Sequence, residues 1–150
     1  MRRYGLLGLL AALPAVASAA ACGRSPTSAS PPPLVLAFAA PVTATFVTDT
    51  FVAEFPVTLS DPNGTGGTVA YLDTIVFNQS RNLEAKRNRR PNASFALPVA
   101  TVPAGGSVTL PAGVGYAPPP PRDQMIITVT VRLTDGREAS HSAQLLSIYP

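Results

Sequence analysis

The sequence predicts an all-β domain, an antiparallel sandwich of about seven or eight short strands, and three observations carry that reading. Apolar and polar residues alternate over residues 51–59 and 125–133, the two-residue period of a half-buried strand. Turn chemistry recurs between such runs: Asp-Pro-Asn-Gly at 61–64, Pro-Ala-Gly-Gly at 103–106, Pro-Ala-Gly at 111–113 and four prolines at 118–121. Beyond the amino-terminal segment no stretch keeps a 3.6-residue period for three turns, and only 13% of residues are charged, too few for the solvated faces of a helical bundle. A hydrophobic content of 46% is enough for a core and argues against a disordered chain.

Residues 1–21 read as a secretory signal peptide. Arg2 and Arg3 precede an apolar run from Leu6 to Val16, broken only by Gly8 and Pro14, and small residues fill 17–21. The run is about 11 residues, against the roughly 20 needed to span a bilayer as helix. Cys22 follows directly and is the chain's one cysteine, which excludes a disulfide framework or a thiolate zinc site within a monomer. Ala19-Ala20-Ala21-Cys22 resembles a bacterial lipobox, with Ala19 where that family usually has Leu. The resemblance implies that Cys22 takes a diacylglyceryl thioether and anchors the chain in a membrane. It also implies, through Gly23, an outer-membrane destination facing the periplasm or the surface. Cleavage after Ala17-Ser18-Ala19 by ordinary signal peptidase is the alternative, and it would leave a free thiol.

Residues 23–33, GRSPTSASPPP, cannot pack and are held extended by their prolines. With Cys22 they form a spacer, residues 22–33, able to hold a folded body roughly 30 Å from its anchor at ~3.1 Å per residue. Of 11 Lys and Arg, two leave with Arg2 and Arg3, so nine face eight Asp and Glu and the high isoelectric point is mostly a property of the leader. A nucleic-acid partner therefore loses its electrostatic support.

The domain is expected over residues 34–150. Strands are predicted at 34–38, 43–47, 51–59, 68–78, 94–99, 107–110 and 125–133, with a final one closing a hairpin. Pro56 cannot donate to a ladder, so it marks an edge or a bulge. Residues 68–78 are apolar on both faces. In the hairpin a two-residue turn at Asp135-Gly136 would set Val131 and Val129 against polar residues. A three-residue loop, Thr134-Asp135-Gly136 with Gly136 left-handed, pairs Val131 with Ala139, Ile127 with Ala143 and Met125 with Leu145. That register keeps one face apolar and turns His141 inward opposite Val129. The succession VPAGGSVTLP, GVGY and MIITVTVRLTDGREA resembles the later strands of bacterial immunoglobulin-like or fibronectin type III-like extracellular modules, over roughly residues 43–146. The resemblance implies an immunoglobulin-like sandwich and supplies no functional residue.

Residues 81–90 concentrate Arg81, Lys86, Arg87, Arg89 and Arg90 against Glu84 alone, and are expected to be a loop between two strands. Such a loop is either solvation for a charge-poor domain or a cationic lobe for an acidic envelope protein or an anionic glycolipid. No aromatic is interleaved for base stacking. Asp61 to Gly66 begins like a calcium loop, but Leu72 stands at the twelfth position where bidentate Glu is needed, so a Gly-rich turn explains it better. His141 has no second His or Cys to share a metal, and no Gly-x-Ser-x-Gly elbow exists. The expectation is a lipid-anchored, non-catalytic binding or assembly module without cofactor or metal. A carbohydrate- or peptidoglycan-binding module would need Tyr71, Tyr116 and Tyr149 in an exposed row, and a small hydrolase would need His141.

Overall fold

The computed structural model describes residues 32–94 and 100–149. The signal peptide, Cys22, most of the spacer and the strand expected beyond Ser94 lie outside the described residues. The elements are β1 (Val35–Ala37), β2 (Val42–Val47), β3 (Thr50–Ser60), β4 (Gly67–Asn78), β5 (Leu83–Pro91), a 3-10 turn (Asn92–Ser94), β6 (Thr101–Val102), β7 (Ser107–Tyr116), β8 (Met125–Leu133) and β9 (Glu138–Ile148). The domain is all-β, as its alternating periodicity predicts.

The strands hydrogen-bond in the order β1-β3-β2-β9-β8-β4-β5, with β7 on the other side of β3 and β6 on β4. One pairing departs from a wholly antiparallel arrangement: β2 and β9 run parallel, Val42 beside Leu145 and Thr45 beside Ile148. The cause is the double duty of β2. Its last residues turn back tightly into β3, Val47 pairing with Thr50, while its first residues lie along β9.

The strands form one nine-stranded sheet, and its apolar positions gather in two buried clusters. Val57 and Leu59 of β3, Leu110 of β7, Leu72 of β4 and Val129 and Val131 of β8 belong to one buried cluster. Phe51, Ala53, Val76, Tyr116 and Ile127 belong to a second. Each fully buried side chain of Val or Leu size removes enough apolar area from water to favour folding by ~1.5–3 kcal/mol.

Pro56 sits opposite Pro111 in an unbroken β3–β7 ladder. Neither has an N–H, so their nitrogens turn away from the shared ladder. For Pro56 that direction is open, because β1 pairs only with residues 58–60 of β3 and β2 only with 50–52. For Pro111 it is the outer edge of β7. The turn expected at 111–113 is thus not a turn: β7 runs through it to Tyr116.

The terminal hairpin adopts the three-residue loop. Met125 pairs with Leu145, Ile127 with Ala143 and Val131 with Ala139, and Gly136 has φ 92°. The registers place Leu34, the β3–β4 loop and the β8–β9 turn at one end of the domain. The β2–β3 turn, the β4–β5 turn, residues 117–124 and Tyr149 are at the other.

Candidate functional site

The cationic segment is not a loop. Leu83 to Pro91 is a full strand paired with β4, with one bulge between Val76 and Phe77 of β4. Alternation along β5 splits its charges between two faces. On the outer face, Arg87 Nη1 and Arg89 Nη2 both donate to Asp73 Oδ2, at 3.0 and 2.8 Å. Arg87 also donates to Glu84 through Nη2 at 2.8 Å, and the Glu84 carboxyl is held below its ordinary value chiefly by that hydrogen bond. The Arg89 guanidinium lies over the Tyr71 ring at 4.4 Å, a cation–π contact.

The other side of β5 faces the free edge of β7. Asn88 Nδ2 donates to Gly113 O at 2.7 Å, and Arg90 Nη1 donates to Pro111 O at 3.0 Å. Side chains therefore join two strand edges that share no backbone ladder, and Pro111 removes one donor from the edge, which blunts it against pairing with another chain. Arg81 stands in the β4–β5 turn and donates from Nε to Asp123 Oδ2 at 2.8 Å. Lys86 is exposed and forms no ion pair among the described residues. The five cations expected on one loop are thus divided, Arg87 and Arg89 sharing Asp73, Arg81 and Arg90 held elsewhere and Lys86 exposed, because charge composition reads as loop while the two-residue spacing of Arg87 and Arg89 reads as one face of a strand.

Asp73 is the residue that sequence reasoning missed. Its side chain is 4% exposed, and Oδ1 has no partner among the described residues. The available signal was a lone carboxylate at an outward position of an otherwise apolar strand, with two arginines spaced i, i+2 further along. Around it, the outer face of β9-β8-β4-β5 carries half-buried Tyr71, Ile75, Phe77 and Ile126. Beside them the hydroxyl pairs Thr128–Ser142 and Thr130–Ser140 are hydrogen-bonded at 2.8 and 2.6 Å.

The double variant Arg87→Ser with Arg89→Ser is expected to lower the midpoint of urea denaturation by more than the sum of the two single variants. Either guanidinium alone still neutralises Asp73, whereas losing both leaves a buried charge without a counter-ion. Strict additivity in a double-mutant cycle would refute the shared role of Asp73.

His141 is opposite Val129 on the inward face, as the register requires, yet its side chain is exposed. On β9 the pairing with β2 begins only at Leu145, so at His141 the strand has β8 on one side alone and Phe38 as its ring contact, 4.8 Å away and edge-on. Asp61, the first residue of the calcium-like loop, is fully buried, and its Oδ2 accepts from Arg137 Nη1 at 2.8 Å and from the Gly66 N–H at 2.9 Å. The Arg137 guanidinium neutralises the Asp61 carboxylate. Tyr116 is buried, its hydroxyl 3.0 Å from Ser147 Oγ, and burial raises its pKa. Tyr71 lies under Arg89, and Tyr149 is at the opposite end of the sheet, so the three tyrosines form no row.

No protein family matches the sequence, and no curated protein does. Among solved structures, Northeast Structural Genomics Consortium target SoR45 is similar over 79% of this chain and 90% of that one, with a TM-score of 0.53 and 9% identity. At that identity the likeness is one of fold alone. The sporulation control protein Spo0M from Bacillus subtilis is similar over 79% of this chain and 49% of its own, with a TM-score of 0.47 and 8% identity.

Proposed function

We propose that the chain is a lipoprotein of the bacterial cell envelope, anchored through Cys22, whose domain is an immunoglobulin-like sandwich acting as a non-catalytic binding or assembly module. The lipid supplies location and residues 22–33 supply reach. The observation that carries the reading is the outer face of β9-β8-β4-β5. No other element covers it among the described residues, yet Tyr71, Ile75, Phe77 and Ile126 are half-buried on it and Asp73 locks Arg87 and Arg89 into fixed positions beside them. Pre-positioned arginine and aromatic groups over a rigid sheet reduce the ordering cost of association, which is what an envelope protein docking there requires.

The test combines anchor and face in native envelopes. Mass spectrometry of the purified full chain is expected to show diacylglycerol on Cys22, and Cys22→Ser is expected to move the protein from the membrane to the soluble fraction. A photo-cross-linker replacing Ile126 is expected to give a discrete adduct that one replacing Val35, on the distant edge strand β1, does not. A bare Cys22 thiol overturns the anchor, and identical adduct patterns from the two positions overturn the face.

A further inference from the structure

Residues 117–124, joining β7 to β8 at the end of the domain remote from Leu34, contain Pro118, Pro119, Pro120 and Pro121. Covalent sterics fix their shape. Each proline ring holds its own φ near −65°, and each residue that precedes a proline is pushed to extended ψ, so Pro118, Pro119 and Pro120 have polyproline II geometry. That helix has three residues per turn, which puts Pro118 and Pro121 on the same edge. These two are exposed, while Pro119 and Pro120 are half-buried against the domain.

The segment is held at both sides. Before it Tyr116 is buried, and the Tyr149 hydroxyl reaches Pro119 O at 3.5 Å. After it the Asp123 carboxylate accepts from Asn78 Nδ2 at 2.7 Å and from Arg81 Nε at 2.8 Å. Those two hydrogen bonds, Asn78 first, hold its pKa below the ordinary value. Gln124 N–H donates to Ser80 Oγ at 2.8 Å.

The run ends in a turn closed by the Asp123 N–H on Pro120 O at 3.2 Å, with Pro121 and Arg122 at its centre. Arg122 has φ 74°, the left-handed conformation that the third position of a type II turn demands and that glycine normally supplies. An arginine there is strained, exposed and without an ion pair among the described residues. Val47, Ile148 and Tyr149, each more than half exposed, lie at the same end of the domain.

We propose that Pro118, Pro121 and Arg122 form a pre-built polyproline ligand for a folded protein domain whose groove is lined by aromatic side chains and bordered by carboxylates. The prolines supply a ridge that loses little entropy on docking, and the flanking cation sets its direction in the groove. The backbone strain at Arg122 is the cost of placing a guanidinium where glycine would relax the turn. The site is separate from the outer face of β9-β8-β4-β5 and needs no lipid at Cys22, so it stands or falls apart from the proposed function.

The test titrates the full chain in detergent against a panel of isolated SH3-type domains with acidic groove rims. The chain contains no Trp, so groove-tryptophan fluorescence belongs to the probe alone. Saturable binding with a Kd on the order of 10–100 μM is expected for at least one panel member. Pro118→Ala with Pro121→Ala should weaken it at least about tenfold. Arg122→Gly should weaken it comparably while leaving the melting temperature equal or higher, which separates recognition from folding. Binding weaker than about 1 mM across the panel, or an Arg122→Gly protein that binds as the parent does, overturns the proposal.

Discussion

Arg137→Ala is expected to destabilise the domain by about 3–5 kcal/mol, the cost of breaking a buried ion pair from one side. The guanidinium, 10% exposed, is held by three groups: Asp61 Oδ2 and Asp135 Oδ2, both at 2.8 Å, and Gly66 O at 2.7 Å. Asp135 is 46% exposed and rehydrates when Arg137 is lost, whereas Asp61 is 0% exposed and has no route to water. A Cβ at Gly64 would run into the Asp61 carboxylate, so the backbone closes over that group from the other side. The bond joins the β3–β4 loop to the turn of the terminal hairpin, 76 residues away in the chain, so its loss also frees two loops from each other.

In thermal denaturation the shift should be roughly 10–20 °C for a domain of this size. Adding Asp61→Asn to Arg137→Ala is expected to restore roughly half of the loss, because Asn keeps an acceptor for the Gly66 N–H and removes the stranded charge. A loss below about 1 kcal/mol in the single variant would mean that water reaches Asp61 and that the clamp is a surface pair.

What the sequence made legible follows from what local pattern can encode. The hairpin register could be derived because only one slip of Met125–Leu133 against its partner keeps Val131, Ile127 and Met125 facing apolar residues, and the structure has that slip. The strand from Leu83 to Pro91 could not be found by the same rule, since both of its faces are polar: one meets Asp73 and the other meets the carbonyls of β7. An apolar/polar alternation is invisible where both phases are charged. The arginine partners of Asp73 and Asp61 were hidden for a related reason, as each carboxylate takes its guanidinium from another segment, at a distance that spacing does not report. The parallel course of β2 beside β9 is a property of the chain's path over its whole length, and no window of residues contains it.

Phe51→Ala carries the second large expectation, a loss of about 3–5 kcal/mol in urea or thermal denaturation. Phe51 is 0% exposed and touches rings from three other segments: Phe46 at 5.2 Å, Tyr116 stacked at 5.7 Å and Tyr149 edge-on at 4.9 Å. The void would resist collapse, because those rings sit on or beside β2, β7 and β9 and Tyr116 is further tied to Ser147 by its hydroxyl. The cost of a cavity rises with the volume that stays empty, which places this site toward the upper end of the range.

The loss should also be uneven in space. Tyr149 links Phe51 to Pro119, so amide exchange at Asp123, whose N–H closes the proline turn, should accelerate more than exchange at Gly136 in the hairpin turn at the other end. Equal acceleration at both ends would show that the two buried clusters open as one unit, and the aromatic joint would then have no separate part in holding the proline loop.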